Sequence, residues 1–360
     1  MNWYYTCNNK NINFKIEAVK ESVATGNPIL YHTPYKDFDF SKQNNATWQE
    51  LLKQEAISIR DRYKKVRLWY SGGSDSQVIL DTFIKNNIPI DEIVYVSSGI
   101  KQADFEIEQY VLPKLKAIKN QIPNTKIRNI NHTIDEYKNF YSDENWVSNF
   151  LKFKPTVMYF HIRFTVTNLI NEETIDSDYI NVHGKDKPRL KYIDGQWYTY
   201  FFDSDVEDSP NQYNFYIDNP ELHSKQCHML RESIEQNMSV DDYNLITEYD
   251  MYQDFWNKHS GRYLYTKNVP MKVFDPAQIN GLNYINNKEH EALKYLSKHY
   301  PEIVANWQRG INKLGKQYEE WFNKGRPELG TIGCLSKFYS LTQNTSKTVD
   351  QLYPNGYKPY

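Results

Sequence analysis

Between residues 60 and 185, short apolar runs alternate with helical patterns, and no other feature restricts the fold as much. Val66-Arg67-Leu68-Trp69-Tyr70, Glu92-Ile93-Val94-Tyr95-Val96-Ser97, Lys126-Ile127-Arg128-Asn129-Ile130 and Tyr179-Ile180-Asn181-Val182-His183 read as strands. Gln77–Lys85, Phe105–Ile118 and Tyr159–Asn171 carry helical spacing between them. Parallel neighbours need a crossover, usually a helix, so the alternation predicts βαβ units around a parallel sheet. The expected fold class is α/β.

The flanking regions are less regular. Residues 1–60 form an N-terminal extension with a strand expected at Pro28–His32 and a helix from Thr47, where Glu50 completes a capping box. The α/β domain is expected over 61–190. Segment 191–215 holds a hairpin about Asp194-Gly195, with Lys191–Ile193 and Gln196–Phe201 as its strands, and then an acidic loop of Asp203, Asp205, Glu207 and Asp208. From 216 to 360 the pattern is mainly helical: Pro220–Gln236, Asp241–His259, and Lys288–Phe322 broken by Pro301, with the last thirty residues irregular. The C-terminal half is expected to pack on the α/β domain.

Composition narrows the function. Lys+Arg number 43 against 45 Asp+Glu, a net charge of −2, which excludes a globally basic nucleic-acid clamp but not a local basic patch. With 39% apolar and 24% charged residues in 360, the chain can bury a sizeable core. Three widely spaced cysteines, Cys7, Cys227 and Cys334, argue against a disulfide framework and for a reducing, cytoplasmic setting. The N-terminus lacks a basic region followed by an apolar stretch, and no apolar run approaches the ~18–20 residues of a membrane span. The 30 tyrosines fit AT-rich codon usage as readily as a function.

The chemistry concentrates in Ser71-Gly72-Gly73-Ser74-Asp75-Ser76, between the first strand and its helix. Two glycines let the backbone approach a ligand closely, and the helix start presents unpaired N–H groups at the positive end of its dipole. Hydroxyls of Ser71, Ser74 and Ser76 add donors, so the segment suits a polyanion such as pyrophosphate. Asp75 would repel phosphate unless a cation lies between them, and Mg²⁺ bridging carboxylate and phosphate resolves the conflict. No Lys-Ser/Thr follows the glycines as in a Walker A loop, and no GxGxxG occurs. The plainer reading is a strand–helix turn capped by Asp75.

The run resembles the SGGxDS signature of PP-loop ATP pyrophosphatases, the adenine-nucleotide alpha-hydrolase group, and the wider resemblance covers roughly residues 60–190. It implies a Rossmann-like parallel sheet of the HUP type, with ATP and Mg²⁺ as ligands. The loop would hold pyrophosphate while an acceptor oxygen attacks the α-phosphate and PPi leaves. By the same resemblance the second strand ends beside the adenosine, at Val96, Ser97 and Ser98. Arg163, in His161-Ile162-Arg163-Phe164, matches the second arginine of an Arg-x-x-Arg-aromatic element, and Gly184 matches the glycine of Gly-His-x-x-Asp-Asp.

After Gly184 the chain departs from the group. Lys185-Asp186-Lys187-Pro188-Arg189 replaces the acidic pair, leaving at most Asp186. This basic element is similar in charge to that of the PAPS-reductase branch. Lys185, Lys187 and Arg189, at the carboxyl end of a strand, could face the same crevice as the loop and neutralise phosphate charge, or form a solvated basic turn. The leading expectation is an ATP pyrophosphatase that adenylates an acceptor, a small molecule or a nucleic acid, for amidation or thiolation. Asp75, Lys187 and Arg189 would be catalytic, and Ser71, Gly72, Gly73, Ser74, Asp75, Ser76, Ser97, Ser98, Arg163, Gly184 and Lys185 would bind the nucleotide. Alternatives are a PAPS reductase-like enzyme using Cys334, which lacks that branch's flanking Glu and His, and a nucleotide-sensing or nucleic-acid-associated module without turnover.

Other candidates carry plainer readings. His223, Cys227 and His228 suggest a metal, but only the first two share a helical face, so a helix surface is expected. The acidic loop could complete a Mg²⁺ site or simply be solvated. Glu106 and Glu108 read as helix-surface residues. The basic-aromatic segments at Trp307–Trp321 and Gly261–Tyr265 could stack on bases, but Trp307, Ile311, Leu314, Tyr318 and Trp321/Phe322 follow helical spacing, which indicates a packed stripe more often than a nucleic-acid platform.

Overall fold

The computed structural model describes residues 3–13, 15–27, 29–146, 178–184, 188–201, 211–237, 239–240, 284–324 and 335–353. Asn8 and Asn9, both at positive φ, turn β1 (Tyr4–Cys7) into β2 (Lys10–Ile12), as expected of a tight hairpin loop. After α1 (Lys15–Thr25), β3 (Leu30–His32) joins the other edge of β1, making an antiparallel sheet of order β2-β1-β3. The hairpin was not foreseen; the strand expected at 28–32 is β3. α2 (Trp48–Arg62) starts where the capping box places it, Thr47 and Glu50 each accepting the other's backbone N–H.

β4 (Lys65–Trp69), β5 (Glu92–Ser97), β6 (Lys126–Asn131) and β7 (Tyr179–His183) follow the predicted runs, and β8 (Arg189–Ile193) and β9 (Gln196–Tyr200) form the hairpin about Asp194-Gly195. A further strand, β10 (Gln212–Asn214), pairs in parallel with β7. The parallel sheet has the order β10-β7-β4-β5-β6, so its first strand in sequence lies centrally and the chain winds away from it in both directions. This mixed α/β architecture is compatible with a Rossmann-like core.

The crossovers from β4 to β5 and from β5 to β6 are helical. α3 (Ser74–Lys85) follows β4, beginning three residues before the predicted start, so Ser74, Asp75 and Ser76 form its first turn. The predicted 105–118 helix is a π-turn at Ile107–Val111 continued by α4 (Leu112–Ile118). Pro113 offers no N–H to the preceding turn, which favours this local rewinding. α5 (Ile134–Phe140) follows β6. Further on lie α6 (Pro220–Asn237), α7 (Tyr284–His299) and α8 (Pro301–Lys324), the last opening on a proline whose missing N–H costs nothing at that position. The terminal segment expected to be irregular instead adds β11 (Phe338–Ser340) and β12 (Ser346–Lys347) to the β8–β9 hairpin, followed by α9 (Val349–Leu352). Side-chain packing against β9 supplies the stability that local propensity lacks.

The main core joins these pieces: Trp3, Tyr31 and Phe40 share one buried cluster with Leu68, Ile79, Val182, Leu222, Leu230 and Leu341. A second cluster packs α7 and α8, through Ala292, Leu296, Ile303 and half-buried Trp307, on Ile100, Ala103, Tyr137, Tyr141 and Trp146. The stripe expected to be packed is thus packed at Trp307; the side chains of Ile311, Leu314, Tyr318 and Trp321 lie outside the described residues. Among the described residues no helix is long and apolar enough to cross a membrane.

One face of the parallel sheet is polar, although parallel sheets commonly bury apolar residues on both faces. Arg67 and Glu92, both buried, form an ion pair, and Lys126 Nζ (2.9 Å) and Arg128 Nε (3.2 Å) also meet Glu92. Burial alone would raise the Glu92 pKa, but hydrogen bonds from Lys126 and Arg67 hold it below the usual carboxylate range. The Arg67 guanidinium lies 4.2 Å from the Tyr179 ring centroid. Trp69 Nε1 donates to Asn181 Oδ1 (3.0 Å), and the Trp69 ring stacks beside His183 (5.7 Å, 11°).

Candidate functional site

β4 and β7 run side by side, and the strand order reverses between them, with β5 on one flank and β10 on the other. In open α/β sheets such a reversal opens a crevice at the carboxyl ends of the strands. The loop after β4 and the residue after β7 meet there. Gly72 takes a left-handed conformation (φ 74°), and a Cβ on it would fall 2.8 Å from Val111 Cγ2 and 3.3 Å from Tyr110 Cβ, so the π-turn backs directly onto the loop. A side chain at 72 would be both strained and crowded.

Gly73 is the N-cap of α3 and supplies no side-chain cap, leaving the amides of the first turn without that partner. Hydroxyls shape the loop instead. Ser76 Oγ accepts from the Ser71 amide (3.3 Å) and donates to Gly73 O (3.1 Å), while Ser71 Oγ accepts from the Gly73 amide (3.3 Å). Ser76 is buried and Ser71 exposed, so both hydroxyls are engaged within the loop and only Ser71 is also open to solvent. Asp75 is half-buried in the first turn of α3.

Gly184 completes the crevice. A Cβ on it would lie 2.9 Å from Ser76 N, 3.0 Å from the Asp75 carbonyl carbon and 2.9 Å from Ile79 Cδ1. The end of β7 therefore rests on the peptide unit between Asp75 and Ser76. Tyr216, in the turn after β10, donates its hydroxyl to the carbonyl oxygen of that same unit (2.8 Å).

Tyr70, directly before the loop, is buried and donates to Gln77 Oε1 (2.5 Å); Gln77 Nε2 donates to Asp81 Oδ1 (2.9 Å), which also accepts from Lys114 Nζ (2.7 Å). This chain ties β4 to α3 and α4. Ser97 and Ser98 at the end of β5 are also buried. Ser97 Oγ donates to Asn129 Oδ1 (2.9 Å) and Ser98 Oγ to Ile100 O (3.2 Å), while the amides of Ser98 and Gly99 are held by the Asp104 carboxylate (2.7 and 3.2 Å). Arg189 opens β8, in the antiparallel sheet, opposite Tyr200.

Arg163, Lys185, Asp186, Lys187, Cys334, the 203–208 acidic loop, Gly261–Tyr265 and the helices expected at 159–171 and 241–259 lie outside the described residues. The loop at 71–76 and Gly184 are thus brought together, Ser97 and Ser98 sit at the neighbouring strand end, and Arg189 belongs to another sheet. Tyr216 and Val111 escaped the sequence reading because one lies in a turn 140 residues downstream of the loop and the other in an ordinary helical pattern.

Two readings change. His223, Cys227 and His228 are buried rather than on a helix surface. His223 Nε2 meets Thr199 Oγ1 (3.4 Å), Cys227 Sγ donates to Thr199 Oγ1 (3.3 Å) and His228 Nε2 meets Phe40 O (2.9 Å). Burial pushes the Cys227 thiol up to about 12, which makes it a poor nucleophile. Glu106 is likewise buried, whereas Glu108 is exposed. Among the described residues no group of three or more His, Cys, Asp or Glu side chains is arranged to hold a metal.

The turn carrying Tyr216 also carries Asp218, which lies near Glu55 of α2. Glu55 on α2 accepts from Tyr213 and Asn219, and Asp218 accepts from the Asn214 amide (2.6 Å). Burial, with the Glu55 charge nearby, pushes the Asp218 carboxyl from 3.8 up to about 6. Between those values the folded protein holds a proton that the unfolded chain has released, so stability falls as pH rises from about 4 to 6 and levels above that. The loss is roughly 3 kcal/mol. Burial also raises the Glu55 carboxyl, which adds to the same limb, so urea unfolding at pH 4, 5, 6 and 7 is expected to show a falling limb in the wild type and a shallower one in Asp218→Asn; parallel profiles would refute the assignment.

No family model matches the chain, and no curated protein matches it.

Proposed function

We propose that the protein is an ATP-binding enzyme of the PP-loop type, with a HUP-like parallel sheet, that cleaves ATP to AMP and PPi and adenylates an acceptor. The observation carrying this reading is the meeting of the Ser71–Ser76 loop, the first turn of α3 and Gly184 where the strand order reverses. Glycines at 72, 73 and 184 keep that place clear of side chains, and the first-turn amides give it donors aimed at an anion. One carboxylate suffices for the metal, because Mg²⁺ on a nucleotide takes most of its remaining ligands from phosphate oxygens and water. Asp75 would hold it, and its charge would offset that of the phosphates.

In this reading the loop grips the β- and γ-phosphates and leaves the α-phosphate open. An acceptor oxygen forms a bond to the α-phosphorus, the α–β bridging P–O bond breaks, and PPi departs. Lys187 and Arg189, with Lys185 and Arg163, would balance charge on the departing group. The acceptor is open between a small molecule and a nucleic acid, with the C-terminal half supplying its recognition.

The test is ATP binding by calorimetry and PPi release with candidate acceptors, in wild type, Asp75→Ala and Gly73→Val. Wild type is expected to bind MgATP, Gly73→Val to weaken binding at least tenfold, and Asp75→Ala to lower PPi release about 100-fold, as expected for loss of a charge-stabilising group. ATP binding lost in neither variant would overturn the proposal.

A further inference from the structure

The peptide unit joining Asp75 to Ser76 is contacted from two separate elements. Its oxygen accepts the Tyr216 hydroxyl (2.8 Å), and its carbon and nitrogen abut Gly184 at the end of β7. A peptide unit is planar and moves as one piece, so whatever sets the tilt of its C=O also sets the direction of its N–H. That N–H belongs to Ser76, in the first turn of α3, and the same unit leads from the Cα that bears the Asp75 carboxylate.

Tyr216 is suited to this grip. It is fully buried, and its ring lies parallel to the Trp48 indole (6.2 Å between centroids, 10°). Burial and the nearby Asp75 charge push its phenol far above the ordinary range, so it remains a neutral donor. A buried tyrosine whose ring is packed pays little further entropy to direct its hydroxyl.

We propose that Tyr216 is a positioning residue of the phosphate site, its hydroxyl fixing the Asp75–Ser76 peptide so that the Ser76 N–H and the Asp75 carboxylate face the bound phosphates. The proposal rests on the nucleotide reading above. It places one determinant of the site in the turn after β10, far along the chain from the loop.

The test uses the full chain and Tyr216→Phe, which keeps the ring on Trp48 and removes only the hydroxyl. Hydrogen exchange of amides 72–77 is expected to quicken about fivefold and MgATP affinity to fall about fivefold, the scale of one neutral hydrogen bond, with the melting temperature nearly unchanged. Unchanged exchange in the variant overturns the proposal. Faster exchange with unchanged ATP affinity also overturns it, leaving the hydroxyl a merely structural tie. Failure of the wild type to bind ATP overturns the nucleotide reading, and with it the phosphate role of Tyr216, while the exchange result still decides whether the hydroxyl holds the peptide.

Discussion

Gly184→Val is expected to lower the melting temperature by roughly 3 °C and, under the nucleotide-binding proposal, ATP affinity at least tenfold. The added Cβ would fall within 3.0 Å of two atoms of one peptide unit, Ser76 N and the Asp75 carbonyl carbon. Ile79 Cδ1, its third neighbour at 2.9 Å, can swing aside, but backbone in the first turn of a helix cannot without moving the turn. Overpacking of this kind costs about 1–3 kcal/mol, which in a chain of this size is a few degrees. In the proposed phosphate site binding would suffer more than stability, because the displaced unit carries the Ser76 N–H and a few tenths of an ångström would spoil a charge-assisted hydrogen bond to a phosphate. Thermal melts and calorimetry with MgATP check both parts. A variant with wild-type melting and wild-type affinity would show that β7 does not buttress the loop.

Gly99→Ala is expected to produce the larger loss of stability. Gly99 stands at φ 72°, and a Cβ there would lie 2.0 Å from the carbonyl oxygen of His132. The left-handed conformation costs a non-glycine residue about 1–2 kcal/mol, and the clash with immovable backbone roughly doubles that or more. The Asp104 carboxylate holds the Ser98 and Gly99 amides, and Tyr137 donates to Ser98 O (3.0 Å), so the turn has no slack with which to relax. A fall of about 5 °C in melting temperature is expected. Gly195→Ala is the control: it shares the positive φ (78°) but has nothing within 4 Å of its Cβ, so only the conformational part should appear. Equal losses in the two variants would refute the clash.

Legibility in the sequence followed the range of the forces involved. β5 and β7 have the bounds their apolar runs suggest, and α2 begins at its capping box, because each is dictated by residues within a few positions. The glycine loop was visible for the same reason. β10 was not: Gln212-Tyr213-Asn214 is too short to show a period, and only pairing with β7 makes it a strand. β11 is likewise a strand because β9 and β12 lie on either side of it. The polar sheet face was hidden inside apolar runs, where Arg67 and Asn181 are single interruptions whose partners come from other strands. His223, Cys227 and His228 looked like surface positions because their partners, Thr199 and Phe40, are remote in sequence.

The tyrosines divide along the same line. Their number is set by composition, and nothing local separates one from another. In the fold, Tyr70, Tyr137 and Tyr216 are among the largest fully buried side chains, and each donates its hydroxyl to a specific acceptor: Gln77, Ser98 O and Asp75 O. A buried phenol must find a partner for its O–H, so a tyrosine-rich core becomes a set of directed ties. By itself the sequence determined the α/β alternation, the capped start of α2 and the loop at 71–76, all of which depend on neighbours along the chain. The tertiary structure alone decided that Gly184 and Tyr216 converge on the Asp75–Ser76 peptide, because strand order and long-range packing arise only when distant segments bury their surfaces together.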